Sequence, residues 1–146
     1  MSLVKISQRT AILLEHARKS GLTSDELLEA VRSEDLAQLA AAEAEHFHYD
    51  EWIPYAKEHG EDLEKAITDG YQITFNTRNG LKMWLEESFG ISSETDFTVG
   101  EGVIEGLHLQ ENQLTRLKTA LAVNWLLDEE AAPGGFKVKL TVRGLQ

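Results

Sequence analysis

The sequence predicts an α+β fold: a helical N-terminal half followed by a small mixed sheet of three or four strands with two packed helices. Three observations carry this prediction. Before residue 70 the apolar residues recur at helical spacing in stretches separated by glycine. From Gly70 the period changes within one run. Tyr71, Ile73 and Phe75 alternate with polar residues, and Leu81, Trp84, Leu85 and Phe89 then follow at helical spacing, which marks a strand-to-helix junction. Toward the C-terminus alternation returns, most clearly in Phe136, Val138, Leu140 and Val142. A chain of 146 residues is the usual size of one domain. At that length roughly 68–70% of the unfolded surface can be buried.

Taken in order, the spacing predicts helices over 5–19, 24–32, 34–48, 51–59 and 62–69. Gly21, Gly60, Gly70 and Gly90 each end a helical stretch, and Leu22, Tyr71 and Ile91 stand just beyond three of them. That pattern fits a positive-φ glycine stop with an apolar contact after it. Thr23 and Glu26 make a capping box. Ser33 precedes Glu34 and Asp35, two acids suited to a first turn. Asp50 can cap the helix that contains Pro54 in its first turn. A strand over 71–76 and a helix over 78–89 follow. Asn79-Gly80 is also a strong hairpin signal, which would make 81–85 a strand, but Glu86-Glu87 and the spacing through Phe89 favour helix. Residues 96–99 and 103–109 flank Gly100-Glu101-Gly102 as a hairpin. Leu114, Leu117, Leu121 and Trp125 form one stripe of a helix over 111–128. Ala131-Ala132-Pro133-Gly134-Gly135 reads as a linker. The organisation is therefore a domain over 1–130, a linker over 131–135, and a C-terminal strand or tail over 136–146.

Composition narrows the function classes. The chain has no cysteine, which excludes disulfides, thiolate metal sites and a cysteine nucleophile. No apolar run has the length of a membrane span, and no signal-peptide pattern follows Met1, so a cytoplasmic protein is the expectation. The formal net charge is −11, from 25 acids and 14 bases. Residues 61–110 hold 10 acids and 3 bases, whereas residues 111–146 hold 4 acids and 5 bases. An acidic surface of this kind repels phosphate backbones, so no nucleic-acid binding is expected. Residues 22–31 have the look of a first helix of a helix-turn-helix. The following stretch 34–48 nevertheless contains no Lys or Arg with which to meet phosphates.

The densest polar and aromatic run is Glu43 to Trp52. It offers Glu43, His46, His48 and Asp50 as candidate ligands, because imidazole and carboxylate together suit a transition metal. On one helix, Glu43/His46 and Glu45/His48 would point about 200° apart at roughly 100° per residue. The two pairs cannot then share an ion, and packing against the next helix explains the run as well. No Gly-x-Ser-x-Gly elbow and no glycine-rich phosphate loop is present. Trp52, Trp84 and Trp125 each lie on an apolar stripe and are expected in the core, each with an indole N–H in need of a partner.

These readings point to a regulatory or protein-interaction domain without catalytic activity and without a cofactor. Its partner would be another protein or a second copy, with a homodimer formed through the C-terminal strand. A metal-dependent enzyme using the cluster near residues 43–50 is one alternative. An acidic inhibitor that imitates nucleic acid and occupies a basic protein is the other.

Overall fold

The computed structural model describes residues 4–34, 36–42 and 47–143. Its elements are β1 (Val4–Ile6), α1 (Gln8–Lys19), α2 (Ser24–Ser33), a 3-10 helix (Leu36–Ala42), α3 (Trp52–Glu58), α4 (Leu63–Asp69), β2 (Tyr71–Ile73), α5 (Arg78–Phe89), β3 (Thr98–Gly100), β4 (Val103–Leu109), α6 (Glu111–Ala120), β5 (Trp125–Ala132) and β6 (Gly135–Val142). The α+β class holds, with helices concentrated in the first half and most strands in the second. The strands form two sheets. One is a parallel pair, β1 with β2, and the other is antiparallel with order β3-β4-β6-β5. No helix among the described residues is long and apolar enough to cross a membrane.

Local chemistry sets the helix ends. Ser7 caps α1 through its hydroxyl, which accepts from Thr10 N. Glu61, from the turn before α4, reinforces that end. Its carboxylate accepts from Ser7 N at 2.7 Å and from the Thr10 hydroxyl at 2.6 Å. Thr23 and Glu26 form the expected capping box. Gly21, Gly60, Gly70 and Gly90 all take positive φ, as the glycine pattern predicts.

Five expectations are corrected. The first helix does not begin at residue 5. Val4–Ile6 pairs in parallel with Tyr71–Ile73, and Ser7 starts the helix after it. The second concerns the predicted helix over 34–48. Glu34 adopts a left-handed conformation (φ 55°, ψ 40°) that ends α2, and a 3-10 helix over Leu36–Ala42 buries Leu39 and Ala42 three residues apart. The third concerns β2, which stops at Ile73. Thr74 N donates to Ile6 O, and Phe75 emerges 59% exposed instead of joining the core. The fourth concerns the helix over 111–128. It ends at Ala120, Leu121 turns to an extended conformation (ψ 130°), and Trp125 begins a strand. Last, residues 131–135 are the close of a hairpin. Ala131 and Ala132 end β5, Gly135 opens β6, and Ala132 faces Gly135.

The C-terminal strand thus occupies a central position, paired with β4 on one side and β5 on the other. Gly135 is required where it stands, because a Cβ there would lie 2.3 Å from the carbonyl oxygen of Leu109. One apolar core runs through both halves. Ile6, Leu14, Leu27, Trp84 and Leu85 contribute from the first, and Ile104, Leu107, Leu117, Val138 and Leu140 from the second. All three tryptophans are buried and partnered as predicted. Trp52 Nε1 donates to Thr10 O at 3.3 Å, Trp84 Nε1 to Tyr71 Oη at 2.7 Å, and Trp125 Nε1 to Asn76 O at 2.9 Å.

Candidate functional site

Of the residues singled out as metal ligands, Glu43 and His46 lie outside the described residues. His48 and Asp50 are exposed. His48 lines a cavity of about 370 Å³ together with Arg9, Leu13, Phe47 and Met83. That lining is largely apolar, with no acid among these residues. Among the described residues no group of three His, Asp or Glu side chains could hold a metal ion.

Two other places concentrate unusual chemistry. The first is internal. Glu15, in the middle of α1, is 2% exposed and carries a charge that the core must satisfy. One of its oxygens, Oε2, accepts from Tyr71 Oη at 2.5 Å, from Arg18 Nη1 at 3.1 Å and from Arg116 Nη2. Tyr71 in turn accepts from Trp84. Burial, then the adjacent Glu15 carboxylate, pushes the Tyr71 phenol well above its ordinary range, so it remains a donor. Arg18 follows Glu15 by one helical turn and also donates to Ile67 O at 3.0 Å. Arg116 comes from α6, far along the chain, and its guanidinium carbon lies 5.9 Å from the centre of the Trp84 ring. Three elements (α1, β2 and α6) therefore meet at one carboxylate, and α5 joins them through Trp84 and Tyr71.

The second place is on the surface. Phe75 and Val123, at 59% and 66% exposure, are the exposed large hydrophobic residues among those described. They sit on two loops, one after β2 and one after α6, and these loops are laced together. Asn76 is 1% exposed. Its Oδ1 accepts from Ala122 N at 2.9 Å, and its backbone N donates to Asn124 Oδ1 at 3.0 Å. Asn124 Nδ2 and Trp125 Nε1 both donate to Asn76 O, at 2.7 and 2.9 Å. Gln8 extends the lacing, since its Oε1 accepts from Asn76 Nδ2 at 3.1 Å and from Thr77 N at 2.9 Å. Gly80 makes room for it, because a Cβ there would fall 1.8 Å from Gln8 Nε2. Phe75 thus adjoins Asn76, whose backbone groups pair with the half-buried Asn124 amide, and Val123 adjoins Ala122, whose N donates to the buried Asn76 amide. A cation joins the second loop: Arg143 donates through Nε to Val123 O and through its backbone N to Asn124 O. Arg78, exposed, opens α5 three residues after Phe75 along the chain.

Sequence reasoning missed both places. Glu15 and Arg116 lie 101 positions apart, and nothing local links them. An Asn in each loop was the one available signal for the lacing, since asparagine side chains readily substitute for backbone partners in turns. Comparison of the chain with models of known protein families, with curated proteins and with solved structures gives no match.

Proposed function

We propose that this chain is a non-catalytic protein-interaction domain whose contact surface is centred on Phe75 and Val123. The carrying observation is the exposure of these two side chains on loops joined by the Asn76–Asn124 hydrogen bonds. An isolated exposed apolar residue has no particular meaning. A pair held on fixed backbone is different, because little conformational entropy remains to be lost when a partner covers it. Charge narrows the partner. Arg143 is bonded to the Val123 carbonyl, and Arg78 follows Phe75 by three residues along the chain, in a protein of net charge −11. The occupant that fits is a segment of another protein that presents an apolar side chain next to carboxylates.

Selection of displayed random peptides against the full chain tests this reading. Enriched peptides should place Asp or Glu close to an apolar residue. Their affinity should fall at least about tenfold for a Phe75→Ser/Val123→Ser variant, the loss typical of a small contact hot spot. Peptides that bind parent and variant equally would refute it, as would enrichment of basic peptides.

A further inference from the structure

We propose that the cavity between α1, β2 and α6 is a binding site for a small oxyanion, a carboxylate or phosphate group, held by Arg18 and Arg116. The cavity has a volume of about 210 Å³ and is lined by Arg18, Gly70, Tyr71, Arg116, Thr119 and Ala120. That is room for several waters or for a compact anion.

Its charge is unbalanced. Two guanidinium groups share the single carboxylate of Glu15, and Tyr71 adds no negative charge because burial keeps its phenol protonated. The three ionised groups therefore sum to one surplus positive charge, in a chain that is otherwise strongly acidic. Glu15 is 2% exposed, whereas the arginine side chains are 27% and 37% exposed, and it is the arginines and not the carboxylate that line the cavity. The donors are only partly used. Arg116 donates to Glu15 through Nη2, and its Nε and Nη1 have no hydrogen-bond acceptor among the described residues. A guanidinium with free N–H groups, already oriented by a carboxylate behind it and an indole ring beside it, is prepared to take a planar carboxylate or a phosphate in front. Partial burial strengthens such a contact relative to one in open solvent.

This site is separate from the Phe75 and Val123 surface and does not depend on it. Titration calorimetry of the full chain with inorganic phosphate and with acetate, each against chloride at equal ionic strength, tests the proposal. At least one of the two oxyanions should bind one-to-one where chloride does not, and their ranking identifies the preferred group. Arg116→Gln should weaken binding by at least about tenfold, the usual consequence of losing a hydrogen bond to a charged group. Thr119→Phe leaves every partner of Glu15 in place and should block the cavity. If Arg116→Gln fails to fold, Thr119→Phe alone decides. Heats indistinguishable from chloride would overturn the proposal, and so would binding that survives Thr119→Phe.

Discussion

The two halves of this molecule hold their interiors together by different means. In the sheet half, β6 alternates, with Val138 and Leu140 inward, β4 buries Ile104 and then Leu107 and Leu109 on either side of a bulge, and β5 buries Trp125 at its start, so the interior is apolar. Among the described residues, the buried polar ones, Thr10, Glu15 and Asn76, all lie before residue 77, in the helical half and its edge. Each satisfies a group contributed from elsewhere in the chain. Glu15 receives Arg116, Thr10 meets Glu61 and Trp52, and Asn76 receives Ala122. The sheet is thus specified by a pattern that tolerates conservative change. The helical half is specified by a few directional contacts that do not, because a half-satisfied buried network is worse than none. The seam between the halves is built from such contacts, and the proposed interaction surface lies on that seam.

The largest expected effect breaks the sheet half. Deletion of residues 133–146 removes the strand between β4 and β5, leaving both without their main partner. The truncated chain should show no cooperative unfolding transition in urea and should lose the fixed environment of Trp125 in near-ultraviolet dichroism. A cooperative transition with unchanged slope would mean that β6 is an accessory.

A smaller but sharper effect belongs to the helical half. Glu15→Gln removes one charge from a group with two arginine partners, and loss of one member of a buried pair costs about 3–5 kcal/mol. Both arginines are partly exposed and can recover water, so the expected value is near the lower end, about 3 kcal/mol by chemical denaturation. A cost under about 0.5 kcal/mol would place Glu15 among ordinary surface residues.

The same network predicts an alkaline limit. Burial and then the neighbouring Glu15 carboxylate hold the folded Tyr71 phenol above its ordinary value of 10.0, so the unfolded chain loses that proton first. The stability it contributes is fully present below about pH 10 and is lost as pH rises through the raised folded value. The slope approaches about 1.4 kcal/mol per pH unit from this one group. Tyr71→Phe should remove that component of the slope above about pH 10. An identical slope in parent and variant would contradict the burial of the phenol.

What could be read from the sequence follows the same division. Where structure depends on local chemistry, the reading held: the Thr23–Glu26 box, the positive-φ glycines, helix 78–89 and the burial of three tryptophans. Where a distant residue decides, it did not. Leu114, Leu117, Leu121 and Trp125 keep helical spacing, yet Ala122 N is taken by Asn76 Oδ1, and the helix gives way to a strand with Leu121 and Trp125 still buried. Spacing alone cannot distinguish one long helix from a helix, a turn and a strand that bury the same side chains. Phe75 continued the alternation of Tyr71 and Ile73, but β1 is only three residues long, and β2 ends with its partner. The arginine and carboxylate of the internal site carry no local signature at all.

The smallest expected effect concerns the surface. Phe75→Ser/Val123→Ser alters side chains that are already mostly in water, so each substitution should change stability by less than about 0.5 kcal/mol. A larger loss would mean that these side chains contribute to folding, which would weaken the case that they are kept exposed for a partner.

The central claim is that buried amide contacts fix the seam on which that surface stands. Native-state amide hydrogen exchange tests it most directly, read at Ala122 and Asn76 in the parent and in Asn76→Ala. In the parent both amides should be protected to nearly the level of the β6 amides, opening only with global unfolding. In the variant, protection at Ala122 should collapse while β6 remains protected. Rapid exchange of Ala122 and Asn76 in the parent, as in a freely moving loop, would contradict the account.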